Sequence, residues 1–353
     1  MTAIALPGGA TCPLPLTATD RVQLGHGSGG QMSATLIRDR FLPRFDNPVL
    51  RQLGDAGIVP VHGVDVAIST DTFVVSPLEF PGGNIGSLAV HGTLNDLAMM
   101  GARPQYLSTG FILEEGLSFD VLDRVIATMA AAARENGVTL VAGDTKVVER
   151  GRADGLYVNT TGVGVLDERF RPRPDAVRPG DVLLISGPIA RHGMAIMSAR
   201  EGLEFESQIE SDSASLVPLV ERLRDAVGPA VRALRDPTRG GVASALNELA
   251  VASGVGVLLD EAAINVPGPV AAACEMLGLD PLYVANEGVL VAFVEPGAAK
   301  DALAALRSHP LGAEATIGGR AVAENSGLVV YCTRIGSRRV VDMLPGDQLP
   351  RIC

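Results

Sequence analysis

Asp167-Glu168-Arg169-Phe170-Arg171-Pro172-Arg173-Pro174-Asp175-Ala176-Val177-Arg178-Pro179-Gly180 decides how the rest of the chain is read. Proline and arginine crowd this stretch, and its apolar residues recur at neither a helical nor a strand period, so it predicts a boundary between two domains. On its N-terminal side Gln31–Phe41 has helical spacing, and Val64–Val75 alternates β-branched residues as a strand does. Ile85–Met100 predicts a helix closed by Gly101 and Pro104, Tyr106–Leu113 a strand, and Asp120–Asn136 a helix stopped by Gly137. Val138–Val148 and Leu156–Leu166 predict two further strands. On the C-terminal side strands are expected over 181–189, 255–259, 288–294, 315–322 and 328–332, with helices over 192–200, 213–227, 240–253, 269–277 and 298–308. Neither half alternates strand and helix strictly, which predicts an α+β class for both. The plan is an irregular arm (1–20), an N-terminal domain (21–168), a C-terminal domain (169–332) and a flexible tail (333–353).

Length and composition agree with that plan. The chain has 353 residues, of which 47% are hydrophobic and 20% charged, a mix able to fill two cores. A formal net charge of -11 argues against nucleic acid or an anionic membrane surface as the main partner. No apolar run approaches the ~18 residues that a membrane span needs. Met1–Ala10 lacks the basic-then-apolar pattern of a secretory signal, and Cys12, Cys274, Cys332 and Cys353 form no metal-binding or disulfide spacing. A reduced, cytoplasmic protein is expected.

Acidic residues recur beside Gly, Thr or Asn at the ends of the expected elements: Asp55, Asp71, Asp96, Asp144 and Asp236. Each alone reads better as a turn or cap residue, but five together suit Mg²⁺, which binds through carboxylates, water and phosphate oxygens. Gly25-His26-Gly27-Ser28-Gly29-Gly30 opens a helix without the Lys-Ser/Thr of a Walker loop. Its backbone N–H groups could fold over phosphates, or it could serve as a plain hinge. Only Lys146 and Lys300 stand against 27 arginines, so Lys146, two residues after Asp144, is a candidate for a task arginine cannot perform. Glu287, in Asn286-Glu287-Gly288, precedes a buried-looking strand. Cys353 is the last residue, where a thiol on mobile chain could travel between sites.

Together these segments resemble one family, the HypE hydrogenase maturation proteins, which are ATP-dependent carbamoyl dehydratases. The likeness rests on His26–Gly30, Ser69-Thr70-Asp71, Phe80–Gly86, Asn95-Asp96, Gly110–Leu117, Gly143–Val148, Asp236–Gly241, Ala285–Gly288 and the closing Pro350-Arg351-Ile352-Cys353. More distantly the chain is similar to aminoimidazole ribonucleotide synthetase and selenophosphate synthetase. The resemblance implies a two-domain ATP-binding fold that dimerises through its N-terminal domain, with ATP and Mg²⁺ as cofactors. It implies that a carbamoyltransferase, HypF, loads Cys353, that the carbamoyl group becomes a thiocyanate, and that cyanide passes to iron on a HypC–HypD scaffold for [NiFe]-hydrogenase.

Carried onto this chain, the resemblance makes Asp55, Asp71, Asp96, Asp144 and Asp236 metal–phosphate ligands. His26, Gly27, Gly29, Gly30, Asp71, Asn95 and Lys146 become nucleotide contacts, and Cys353, Lys146 and Glu287 the catalytic set. Gly54-Asp55-Ala56 offers one carboxylate where relatives of the wider superfamily often have two, which leaves the number of metals open. A selenophosphate- or amidine-forming synthetase and a non-enzymatic adaptor acting through the tail are the competing readings.

Overall fold

A computed structural model describes residues 21–202, 208–344, 346, 349 and 351–353. The expected arm, with Cys12, and Pro350 of the tail lie outside the described residues. Among the described residues a 3-10 turn (Leu24–Gly27) leads to α1 (Gln31–Leu36), which continues through a π-helical turn into α2 (Leu42–Phe45). The first domain is then built from β1 (Gly57–Val61), β2 (Val64–Phe73), a short β3 (Glu79–Phe80) and β4 (Gly83–Asn84), and α3 (Ile85–Met99). It is completed by β5 (Ala102–Glu114), α4 (Phe119–Glu135), β6 (Thr139–Val148) and β7 (Leu156–Leu166). Its main sheet has the order β1-β2-β7-β5-β6, so β1 and β6 are the open edges. Only β5 and β6 run parallel; the other pairs are antiparallel.

Helix α3 explains how the halves meet. It is apolar on all sides, with Ile85, Leu88, Ala89, Val90, Leu94, Leu97, Ala98 and Met99 buried. A helix of that kind belongs inside a protein rather than on its surface. One side packs on β2 and β7, and the other meets the second domain. Asn84 caps it, accepting from Gly86 N–H at 2.8 Å and Ser87 N–H at 3.2 Å. A Cβ on Gly86 would lie 2.3 Å from the Val125 carbonyl oxygen, so glycine is what lets α4 pack this close.

The second domain runs β8 (Val182–Ile185), α5 (Arg191–Glu201), α6 (Val217–Val227), β9 (Val231–Arg235), α7 (Gly241–Ser253), β10 (Gly256–Asp260) and α8 (Gly268–Leu277). It ends with β11 (Val291–Val294), α9 (Ala299–Arg307), β12 (Thr316–Val322), β13 (Val329–Cys332) and β14 (Arg338–Val341). Its sheet has the order β14-β13-β10-β12-β8-β11-β9. Strand β14 comes from the stretch expected to be tail, and pairs antiparallel with β13. Chain beyond it returns to the first domain, where Ile352 is buried among Phe73, Phe80, Ile196 and Ala285. Among the described residues no helix is long and apolar enough to cross a membrane.

Candidate active site

Three of the five acids converge. Asp55 precedes β1, Asp96 sits on α3 and Asp236 follows β9, and one carboxylate oxygen of each lies within 4.8 Å of the others. Ser69 on β2 donates to Asp96 at 2.6 Å, and Arg235 pairs with Asp55 at 3.0 Å. Burial raises Asp55 from 3.8 to about 6, against the pull of Arg235. Burial and then Asp55 raise Asp236 to about 7. Burial, with Asp236, Asp71 and Asp55 adding, holds Asp96 well above its ordinary value. A partly buried set of oxygen ligands that repel one another fits a hard divalent cation, which would neutralise them.

The same shifts set a pH dependence. Carboxylates raised by folding hold protons that the unfolded chain has already released. Their contribution to stability is therefore present below about pH 4 and is lost as pH rises through about 6 to 7. A cation bound by the ionised set reverses that loss. Thermal melts should show Mg²⁺ adding ~3 °C or more at about pH 8 and little at about pH 5. Equal shifts at both values, or none, would remove these aspartates as a cation site.

Asp71 and Asp144 look alike in sequence but are placed apart. Each accepts the N–H of the following threonine at 2.8 Å. Asp71 lies on the side of the sheet facing α3, where a Cβ on Gly92 would be 3.9 Å from its carboxylate. It acts on Asp96, Asp236, Glu287 and Arg239. Asp144 and Lys146 are 71% and 69% exposed on edge strand β6, and pair with each other at 2.5 Å. The structure does not bring them to the other three aspartates. Asp71, Thr160, Thr109 and Gly143 lie in one row across β2, β7, β5 and β6. Three interstrand steps of ~4.8 Å put β6 about 14 Å from β2.

Glu287 is 2% exposed, and its Oε1 has no hydrogen-bond partner among the described residues. Burial, then Asp236, Asp212 and Asp71, push it well above the usual carboxylate range, and Arg239 opposes them. Its backbone is fixed from both sides. Asp212 accepts from the N–H groups of Glu287 and Gly288 at 3.3 and 3.1 Å, while Asn286 donates to the Pro237 carbonyl at 2.9 Å. Half-buried Cys353 joins this group. Its thiol is pushed up to about 12 by burial, with Glu287, Asp71 and Asp236 adding and Arg239 opposing. In turn Cys353 is the largest influence raising Arg239.

The glycine loop lies over Arg239, which donates to the Gly27 carbonyl at 3.1 Å. Gly29 has φ +79°, and a Cβ there would lie 2.6 Å from that of Arg239, so both the turn and the contact require glycine. Ser28, Gly30, Arg239, Gly240, Leu349 and Ile352 line a small pocket under the loop. His26 is engaged locally, accepting the Gln23 N–H at 3.0 Å. Asn95, expected beside the nucleotide, links the domains. It donates to the Ala214 carbonyl at 3.1 Å and to the Glu287 carbonyl at 3.5 Å, and accepts the Leu216 N–H at 2.7 Å. Arg239 stood in the Asp236–Gly241 motif without a role, and Arg235 directly precedes that motif. Asp212 and His192 gave no sequence signal, one resembling a turn residue and the other a helix residue.

Comparison with known proteins now decides the family. The AIR synthase related protein N-terminal domain matches residues 53–166, and the corresponding C-terminal domain matches residues 178–331. Carbamoyl dehydratase HypE of Rhizobium leguminosarum bv. viciae is 53% identical over 336 residues, covering 95% of this chain and 96% of that protein. The chain belongs to the HypE family. A HypE crystallised in complex with ATP superposes with a TM-score of 0.80 at 50% identity, covering 94% of this chain and all of that one. A HypE–HypF complex gives 0.83 at 46% identity, covering 88% and 99%. The HypE-like motifs quoted from the sequence fall on both domains of this fold, and those of the converging aspartates, Glu287 and Cys353 meet between them.

Proposed function

We propose that the protein is an ATP-dependent carbamoyl dehydratase whose substrate is an S-carbamoyl group on its own Cys353. The observation that carries this reading is Glu287, a buried carboxyl with one unpartnered oxygen, grouped with the chain's last thiol and a cluster of aspartates. Binding of ATP and of HypF by relatives supports it. HypF would supply the carbamoyl group, and the product cyanide would pass to iron on a HypC–HypD scaffold.

An amide oxygen leaves poorly as it stands and well as phosphate. ATP phosphorylates the carbamoyl oxygen, the C–O bond breaks with loss of phosphate, and both N–H protons depart, leaving S–C≡N, ADP and phosphate. Asp55, Asp96 and Asp236 would hold Mg²⁺, with Asp71 beside them. Bound there, such an ion would supply neutralisation of phosphate charge for phosphoryl transfer. Arg239 offers a further cation beneath the glycine loop. Glu287 accepts an N–H proton, and its unpartnered Oε1 supports that role.

Lys146 fits this chemistry only through a second copy. It pairs with Asp144 on the open β6 edge, and the register sets both on the sheet face opposite Asp71. That face also exposes Ile68, Tyr106 and Ile112. A homodimer formed along this sheet would cover them and carry Lys146 to the other copy's site, where it can hold the departing oxygen. ADP release separates enzyme from adaptor. Chains carrying carbamoylated Cys353 should release about one ADP each in a burst, and unmodified chains far less. Equal release from both would contradict the proposal.

A further inference from the structure

Residues 211–214 touch both halves of the proposed reaction centre. The Ser211 N–H donates to the Pro81 carbonyl at 2.8 Å, which ties the segment to the first domain. Asp212 holds the Glu287 and Gly288 N–H groups, and the Ala214 N–H donates to the Glu287 carbonyl at 3.2 Å. The Ser211 hydroxyl accepts the Ser213 N–H at 3.0 Å and lies 2.7 Å from Nδ1 of His192. Nε2 of His192 lies 3.0 Å from the Ile352 carbonyl, next to Cys353.

The directions of these bonds follow from what each atom can do. The Ile352 carbonyl can only accept, so Nε2 carries the proton. Nδ1 of a neutral ring is then an acceptor, and it takes the Ser211 hydroxyl proton. Neutrality agrees with complete burial of the ring, which lies edge-on to Phe80 with centroids 5.6 Å apart. The chain from Ser213 through Ser211 and His192 to Ile352 is therefore fully directed.

We propose that His192 is a positioning residue that, with Ser211, sets Cys353 at a fixed place relative to Glu287. The proposal rests on the dehydratase reading for its purpose, though not for its geometry. Other contacts make the docked end a built arrangement. Val74 N–H donates to the Cys353 backbone carboxylate oxygen at 3.1 Å, and Arg200 donates to the carbonyls of Ser76 and Arg351, each at 2.7 Å. Arg351 donates to the Val74 carbonyl at 3.1 Å and pairs with Asp154. Its φ of 56° is left-handed, a conformation that a non-glycine residue keeps when its surroundings hold it there. His192 differs from these contacts because its chain of bonds leads to the segment that also holds Glu287.

The test uses the full chain and two readouts. One is alkylation of Cys353 by iodoacetamide, followed on the C-terminal peptide. The other is the single-turnover rate of nitrile formation from carbamoylated protein with Mg-ATP. His192→Phe keeps the ring volume and removes the donor. It should speed alkylation about tenfold and slow nitrile formation about as much, with ATP affinity unchanged. His192→Gln keeps an N–H donor at the Nε2 position and should bring both rates back to within about threefold of the parent. Ser211→Ala should shift both in the Phe direction by less, and decides the matter if His192→Phe does not fold. Unchanged rates in His192→Phe and Ser211→Ala, or a Gln variant no better than Phe, would overturn the proposal. If the parent makes no nitrile, the dehydratase reading falls, and alkylation still decides the role of His192 in docking.

Discussion

Replacing Glu287 by Gln is expected to cut nitrile formation by at least about a hundredfold, while HypF still loads Cys353 with a carbamoyl group. The substitution keeps the volume of the side chain, and the Asp212 contacts are to backbone N–H groups, so the local fold should persist. What disappears is the Glu287 carboxylate, with the unpartnered oxygen that the proposed step uses to take up a proton. Because Oε1 has no partner, an amide can occupy its place without breaking an internal hydrogen bond. In the proposed reaction HypF carries out loading, and Glu287 takes no part in it. A Gln variant that forms nitrile at the parental rate would remove Glu287 from the chemistry. One that fails at loading as well would point to misfolding instead.

Lys146→Ala should be about as damaging, and mixing it with Glu287→Gln should restore activity. If Lys146 serves the second copy's site, a dimer of one chain of each variant has one site with both residues intact and one with neither. Random mixing makes half the dimers of this kind, so about a quarter of parental activity should return. Strand geometry is the reason. Lys146 points from the face opposite Asp71, and its strand lies about 14 Å away across the sheet. If each variant is inactive and the mixture stays inactive, Lys146 works within its own chain and β6 must move to allow it.

Much of this architecture could be read from the chain. The apolar periodicity of Ile85–Met99 and Leu156–Leu166 marked α3 and β7 within a residue, because long patterned segments carry the strongest signal. Strand β1 escaped because Pro60 interrupts Gly57–Val61, which an edge strand tolerates. Strand β14 escaped because Arg338 and Arg339 hide a short run that needs β13 to become a strand.

The site was less legible. Asp71-Thr72 and Asp144-Thr145 are the same local pattern within strands β2 and β6, and only the pleat and register decide which face each acid takes. Asn95 sits beside Asp96, but the turn of a helix sends one side chain to the interface and the other to the aspartates. His192 and Asp212 matter through contacts distant in sequence, such as that with Ile352, and no spacing announces those.

The nitrile is expected to form on Cys353 at the expense of ATP. Intact-protein mass spectrometry, with mapping of the C-terminal peptide, tests it most directly. After incubation with HypF, its carbamoyl donor and ATP, Cys353 should carry a carbamoyl adduct of ~43 Da. That adduct should become a cyano adduct of ~25 Da only when Mg-ATP is present. Absence of any adduct on Cys353 with active HypF, or conversion without ATP, would contradict the account.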